Sequence, residues 1–324
     1  MPSFKMVVDD RVATKMRLDK YVSSLPDGMN RSKLKSGLTA LFLNGKPAKL
    51  SSKVARGDEI VLEWEDSLPT DIAPEPIPLA ILYEDNQVTV VNKKQGMVTH
   101  PAAGNWSGTL VNALLFHWAR QAIALGEEKS IRPVIVHRLD KDTSGVIITA
   151  KNEYAEDWLH RQFTTRKKLS KLYIAICTGV PKEAAGTIET QIIRDPSDRK
   201  RFKAVTGAGR GKYACTHYKV IAVYGSYSLF VLRLKTGRTH QIRVHLKHIG
   251  CPILGDPIYG RKTAGTPFAG ATLMLHAYIL KICLPGASEP TVFKAPVPTR
   301  FRVVMKKLHQ MYDKVDLTAV RSRL

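Results

Sequence analysis

The densest polar cluster in the chain is His137-Arg138-Leu139-Asp140-Lys141-Asp142-Thr143-Ser144-Gly145, set between the apolar runs 134–136 and 146–149. A strand on each side would hold such a loop rigid. A carboxylate displayed among cations stays ionised there and can act as a nucleophile or a base, although by themselves these residues also read as a charged turn. A second cluster, Thr236-Gly237-Arg238-Thr239-His240-Gln241-Ile242-Arg243, lies where the apolar run 229–234 ends and a helical pattern begins. An arginine in so fixed a turn can grip a carboxylate with two hydrogen bonds or bind a phosphate; a structural ion pair would use it equally well. Tyr173 opens an apolar run directly after Arg166-Lys167-Lys168 and Lys171. Alone it reads as a core tyrosine. Beside a basic run it also supplies what an unstacked base needs, a π-face close to phosphate contacts. Arg199-Lys200-Arg201-Phe202-Lys203 reads as a solvated, phosphate-binding loop.

Apolar runs with turn punctuation predict strands at 87–91, 134–136, 146–149, 172–177, 218–223 and 229–234. Helical spacing predicts helices at 109–117, 153–163 and 239–249, the last with Ile242, Leu246 and Ile249 on one stripe and Gly250 as its stop. Helices and strands do not alternate regularly, so the fold class is α+β, with a mixed, mainly antiparallel sheet. Pro69, Pro74, Pro76 and Pro78 mark an extended linker. Ahead of it Leu18, Tyr21, Val22 and Leu25 recur at helical spacing, Ser32 can cap a second short helix, and Asn44-Gly45 marks a hairpin before the alternation of Ile60, Leu62 and Trp64. The expected organisation is a small α+β domain over 1–68, a proline-rich linker over 69–78, and a large domain over 79–324.

The 324 residues carry 50 Lys+Arg against 28 Asp+Glu, a net +22. Such an excess points to a polyanion, because neutralising phosphates with clustered cations releases counterions. No Gly-rich phosphate loop or dinucleotide fingerprint occurs, and the four cysteines include no Cys-x-x-Cys pair. His240, His245 and His248 lack the spacing and the completing ligand of a zinc site, which also disfavours a metal-dependent nuclease built on Asp140 and Asp142. No metal and no cofactor are expected. Charges in the first ten residues and the shortness of the apolar runs predict neither secretion nor a membrane partner, leaving the cytoplasm.

The sequence resembles the RluA-type pseudouridine synthases, the branch that modifies large-subunit ribosomal RNA and carries an N-terminal alpha-L RNA-binding domain. The resemblance spans nearly the whole chain. It rests on Arg17-Leu18-Asp19-Lys20, Leu43-Asn44-Gly45-Lys46 and Gly57-Asp58 in the small domain. In the large one it rests on Tyr83-Glu84-Asp85, His100-Pro101, the 137–145 loop, Asp195-Pro196, Thr216-His217-Tyr218, Gly237 through His245, and Gly255-Asp256-Pro257-Ile258-Tyr259-Gly260. The resemblance implies a cofactor-free isomerase that flips a uridine out of structured RNA. It puts the catalytic aspartate at Asp140, the active-site tyrosine at Tyr173, and the arginine that pairs with the aspartate at Arg238. Arg138 is expected to help displace the target base, and His137, Thr143, His240 and Arg243 to bind substrate. RNA contacts are expected from Arg17, Lys20, Arg31, Lys33, Lys46, Arg166, Lys167, Lys168, Arg199, Lys200 and Arg201. Two departures stand out: Asn92-Lys93-Lys94 where the family has Asn-Lys-Pro, and a short second helix at 32–37. The implied partner is large-subunit ribosomal RNA or its precursor particle, engaged by a monomer. Transfer RNA as substrate and a non-catalytic RNA-binding assembly factor are the alternatives.

Overall fold

The computed structural model describes residues 3–10, 15–25, 34, 38–64, 72–102, 104–124, 133–198, 200–207, 209 and 211–312. Arg31, Lys33, Arg199 and the short helix expected at 32–37, apart from Leu34, lie outside them. Backbone packing divides the chain into two units, Met1–Ile72 and Ala73–Leu324.

The first unit contains β1 (Ser3–Val7), β2 (Met16–Arg17), α1 (Leu18–Ser24), β3 (Leu38–Leu43), β4 (Lys46–Pro47), β5 (Lys53–Val54) and β6 (Glu59–Trp64). Four of the strands form a sheet in the order β1-β6-β3-β4, and β2 pairs with β5. Asn44 and Gly45 take φ of 52° and 75°, the two left-handed residues that a tight hairpin demands. The Asn44 amide then donates to Asp58 and accepts the Glu59 N–H, tying the turn to β6. Leu18, Tyr21 and Val22 of α1 share a core with Leu41, Ile60 and Leu62, the stripe and the alternation that the spacing predicts.

The second unit is built on β7 (Ile81–Glu84), β8 (Val88–Lys93), α2 (Leu110–Ala124), β9 (Ser144–Ala150), α3 (Glu153–Thr165), β10 (Ser170–Thr178), β11 (Ala185–Arg194), β12 (Phe202–Val205), β13 (Lys212–Tyr224), β14 (Tyr227–Leu234), α4 (Gln241–His248), β15 (Leu275–Cys283), β16 (Pro290–Lys294) and α5 (Thr299–Met311). One sheet runs β12-β11-β13-β14-β10-β15-β9-β8-β7, with β16 also on β15. Among the described strands only β9 and β15 pair in parallel. Val88, Val90, Val146 and Ile148 pack into one core cluster while Val91 and Ile147 pack into another. Where β8 and β9 pair, the sheet is therefore covered on both faces, which is why these strands read as mainly apolar rather than alternating.

Two expectations change. Residues 134–136 contribute a single bridge, Val134 to Ala150, rather than a strand, so the polar loop has a strand only on its C-terminal side. The alternating, polar-rich β11 and the late elements β15, β16 and α5 went unpredicted. From Ala73 onward the proline-rich stretch is bonded to α2 and the turn before it. The Glu75 carboxylate accepts the Gly108 N–H, and Asn112 in the first turn of α2 donates to the Ala73 carbonyl and accepts from the Glu75 N–H through its own carbonyl.

Glu84 is the polar anchor of this unit. Its carboxylate receives Thr89 and Trp118 at one oxygen together with Lys151 at 2.8 Å, and His117 and Gln121 at the other. Burial opposes its charge, but Lys151, His117 and Thr89 outweigh that cost and hold its carboxyl down at about 2. The stability it supplies is thus complete above the ordinary carboxylate range near 4.5 and fades as the pH falls toward 2. A Glu84→Gln variant should unfold at lower urea at pH 7 and show a shallower loss of stability between pH 5 and 2 than the native chain (the pH window following from linkage); an unchanged urea midpoint at pH 7 would rule the anchor out. Gly145, at φ 118°, has no room for a side chain: a Cβ would stand 2.1 Å from the Ala277 carbonyl oxygen across the parallel pair. Gly145→Ala should cost about 3 kcal/mol, from strain plus overpacking, readable by calorimetry.

Candidate active site

Asp140 sits in an irregular loop, yet the loop is pinned from several sides. Thr99 Oγ1 donates to the Leu139 carbonyl at 2.9 Å, the Gly96 N–H to the Lys141 carbonyl, and the Thr143 N–H closes a turn onto the Asp140 carbonyl. The ammonium of Lys93, at the end of β8, is buried and donates to the carbonyls of Lys94, Met97 and Lys141. Burial pulls its pKa down to about 7, against the opposing field of Asp140 and Asp142. Lys93 is the middle residue of the departing Asn92-Lys93-Lys94 triplet; the substituted Lys94 is exposed and leaves this clamp intact.

The arginine beside Asp140 is Arg243, not Arg238. Arg243 Nη1 lies 3.5 Å from Asp140 Oδ2, while its Nε and Nη2 hold both oxygens of Asp256 at 2.8 Å. Both Arg243 and Asp256 are buried. Burial opposes each charge, but their mutual hydrogen bonds raise the arginine and lower the carboxyl, and the Ile258 and Tyr259 N–H groups also bond Asp256. The reason for the exchange is local. Arg238 precedes α4 in an exposed turn, where its backbone N–H caps onto Gln241 and its Nε reaches the Tyr213 carbonyl of β13. Arg243 falls inside the first turn of α4, beside the buried stripe of Ile242 and Leu246, and so faces inward. Gly255-Asp256-Pro257 was the available signal that an inward arginine had a carboxylate waiting.

His240 takes φ 55° immediately before α4. One ring nitrogen bonds the Tyr259 hydroxyl and the other lies 4.0 Å from Asp140 Oδ2; burial lowers its pKa, against the pull of Asp140. His245 bonds Thr190 and Thr216 within the core, so it does not join a ligand cluster with His240. Tyr173, on β10, is buried, and burial together with Asp140 raises its pKa and keeps the phenol neutral.

Asp140, Tyr173, Arg238, His137, Arg138, Thr143, His240 and Arg243 all line one cavity of about 270 Å³, joined by Phe163, Arg166, Lys171 and Gly237. Every catalytic and substrate-binding position expected from the sequence therefore borders the same space. His137 has a structural duty as well. Its Nε2 accepts the Ile148 N–H and its ring stacks on Phe163 at 4.6 Å, which leaves the proton on the buried, unpartnered Nδ1. Among the described lining residues Asp140 is the only acid. The sequence reading gave no site role to Lys93, Thr99 or Asp256, and it took Lys171 only as part of the basic run beside Tyr173, although Lys171 stands two residues before Tyr173 and so shares its face of β10.

Of the expected RNA contacts in the first unit, Arg17 is half-exposed and grips Asp19 through two hydrogen bonds, while Lys20 and Lys46 are exposed. In the second unit Arg166 borders the cavity, Lys167 and Lys200 are exposed, Lys168 meets Glu289, and Arg201 reaches Asp198 and the Ile258 carbonyl. Lys167 and Lys168 also line a second cleft with Arg233 and Lys281. No helix among the described residues is long and apolar enough to cross a membrane.

Comparison with known proteins places this geometry. The RNA pseudouridylate synthase family profile matches residues 87–248, which takes in the Asp140 loop, Tyr173 and the start of α4. A ribosomal large subunit pseudouridine synthase D from Borreliella burgdorferi is 44% identical across 93% of this chain and 92% of its own. One of the same description from Neisseria meningitidis serogroup B is 41% identical across 87% and 76%. Among solved structures, human RNA pseudouridylate synthase domain containing 4 superposes with a TM-score of 0.57 at 27% identity, over 71% of this chain and 93% of that one. A carboxylate loop, a buried tyrosine and an arginine shared between two acids thus stand inside a matched catalytic profile and a matched fold, and the chain belongs to the RNA pseudouridylate synthase family.

Proposed function

We propose that the cavity isomerises uridine to pseudouridine in large-subunit ribosomal RNA, with Asp140 as the essential carboxylate, in a cytoplasmic monomer. The observation that carries the reading is that Asp140 is the only acid among the described residues lining a cavity that also holds Arg138, Arg166, Lys171, Arg238, Arg243 and Tyr173 among apolar side chains. The reaction breaks the bond from ribose C1′ to uracil N1, turns the base, joins C1′ to C5 and releases the C5 proton, while N1 regains one. Substrate and product have the same atoms and oxidation state. One ionised carboxylate, able to attack or to deprotonate the flipped nucleotide, suits that chemistry. Arg243 orients Asp140, while Tyr173 offers a flat, neutral face for the base to stack on. The exposed Arg138, in the same loop, is placed to fill the gap left by the flipped base. The first unit, with Arg17, Lys20 and Lys46, supplies sequence-independent phosphate contacts in the manner of an alpha-L RNA-binding domain. Large-subunit RNA is preferred to transfer RNA on the names of the relatives that align along most of the chain.

The test is tritium release from RNA labelled at uracil C5, with large-subunit ribosomal RNA and transfer RNA side by side. Release is expected from the ribosomal RNA and should persist in EDTA. Asp140→Asn should lower release by about a thousandfold or more while changing RNA affinity less than about threefold; equal losses of both would remove Asp140 from the chemistry. Arg243→Lys, which keeps the charge but not the two-pronged grip, should lower turnover at saturating RNA by about ten- to a hundredfold. Arg238→Gln should leave saturated turnover within about threefold and act on RNA affinity instead. A reversed order for the two arginines would return the carboxylate partner to Arg238.

A further inference from the structure

Lys171 is a buried cation with no counter-ion. It is 9% exposed, lies on β10 two residues before Tyr173, and lines the cavity. Its ammonium makes no hydrogen bond or ion pair among the described residues; its neighbour is the ring of Phe163, 5.3 Å away. Burial and the nearby Arg166 push its pKa down to about 8, as befits a charge left unpaired. Arg166 and Arg238 line the same wall, each tied by one hydrogen bond to a backbone carbonyl, Lys235 and Tyr213 respectively, and neither meets a carboxylate among the described residues. Arg166 is itself lowered by burial and by Arg238. Asp140, the one acid among the described lining residues, is engaged by Arg243.

Two of these cations, Arg166 and Lys171, meet beside Gly237, next to Arg238 in the chain. A Cβ built there would lie 3.4 Å from Arg166 Nη2 and 3.7 Å from Lys171 Nζ, so both nitrogens face the space that glycine leaves open. Gly237 does not have the positive φ that would by itself favour glycine. A Cβ would make ordinary van der Waals contact there, so the two distances mark where the nitrogens point rather than a need for glycine. A neutral pyrimidine calls for hydrogen bonds and stacking and does not call for an uncompensated cluster of positive charge. A phosphodiester does, since each oxygen accepts charge-assisted hydrogen bonds from guanidinium and ammonium groups.

We propose that Lys171, Arg166 and Arg238, beside Gly237, form a subsite for the phosphate adjoining the flipped nucleotide. The proposal rests on the reading of the cavity as the site of a flipped uridine. Its role is to hold the backbone beside the target, a contact equal before and after isomerisation that acts on affinity rather than on turnover.

The test uses the full-length chain and large-subunit ribosomal RNA from which the wild type releases tritium. RNA affinity is measured across a salt series, and tritium release at saturating RNA. Lys171→Met and Arg166→Gln should each weaken binding about tenfold at moderate salt and flatten the slope of log Kd against log salt by about 0.7 to 0.9, the signature of one lost phosphate contact. Lys171→Arg should keep both quantities within about twofold. Because methionine relieves an uncompensated buried charge, Lys171→Met should melt no lower than the wild type, which separates lost binding from lost folding. An unchanged slope, whether turnover at saturation falls or not, would overturn the phosphate assignment; a fall in turnover alone would show the cations acting on the base. Absence of release by the wild type would overturn the functional reading beneath the proposal, and the subsite with it.

Discussion

The second unit turns on one buried guanidinium. Arg243 is held edge-on by Asp256 and faces Asp140 with its remaining nitrogen, so one side chain joins α4, the turn after it and the catalytic loop. Burying such a group is costly unless its hydrogen bonds are met. Asp256 is satisfied in turn by the Ile258 and Tyr259 N–H groups, and Tyr259 by His240 and by the N–H of Phe202 on β12. The Gly-Asp-Pro segment therefore serves the cavity without lining it. It fixes the arginine that fixes the carboxylate, and the compensation for a buried charge propagates as a chain of positional constraints.

The loop that carries Asp140 shows why irregular backbone can still be exact in its placement. No strand enters it from the N-terminal side, so its carbonyls would be left unpaired were they not taken by Thr99, Gly96 and the Lys93 ammonium. A cation with three carbonyl acceptors solvates itself and in so doing staples 93–97 to 141. On the far side Gly145 brings β9 against β15 more closely than any side chain allows. Functional residues on a loop need a rigid frame around them, and here the frame is made of side-chain-to-backbone bonds rather than of a ladder.

The clustering of chemistry was legible in the sequence because it depends on local spacing. The polar loop, the turn before α4 and the aromatic at the head of β10 each announce themselves within ten residues. So do Asn44-Gly45, whose backbone demands left-handed dihedrals, and the stripe of Ile242 and Leu246. Partner assignment was not legible in the same way, because it is a matter of which way a side chain points once an element has a beginning. Moving the start of α4 to Gln241 sends Arg238 outward to Tyr213 and Arg243 inward to two acids. Lys171 escaped for a different reason: a lysine before an apolar strand reads as the last member of a solvated run, and only its pairing with Tyr173 at a spacing of two marks it as inward. β15 and β16 pair with each other across a turn that carries Pro285-Gly286, a hairpin signal that went unread.

The charge of the cavity explains how binding and chemistry are kept apart. Unstacking a base costs a few kcal/mol, and that cost has to be met by contacts that do not change along the reaction. Phosphate contacts are of this kind, since the phosphodiester carries the same charge before, during and after isomerisation, and contacts equal in ground and transition states alter affinity rather than turnover. The carboxylate is of the other kind, because its partner changes at every step. If Arg238 were the partner of Asp140, as its place in the motif implied, one exposed arginine would serve both ends and any change of salt would disturb the chemistry. With Arg243 bound to Asp140, and Arg166, Lys171 and Arg238 meeting no carboxylate among the described residues, the cations open to phosphate and the one that holds the carboxylate are different residues. On the proposed reading, how tightly the cavity holds RNA and how Asp140 acts on it depend on different residues.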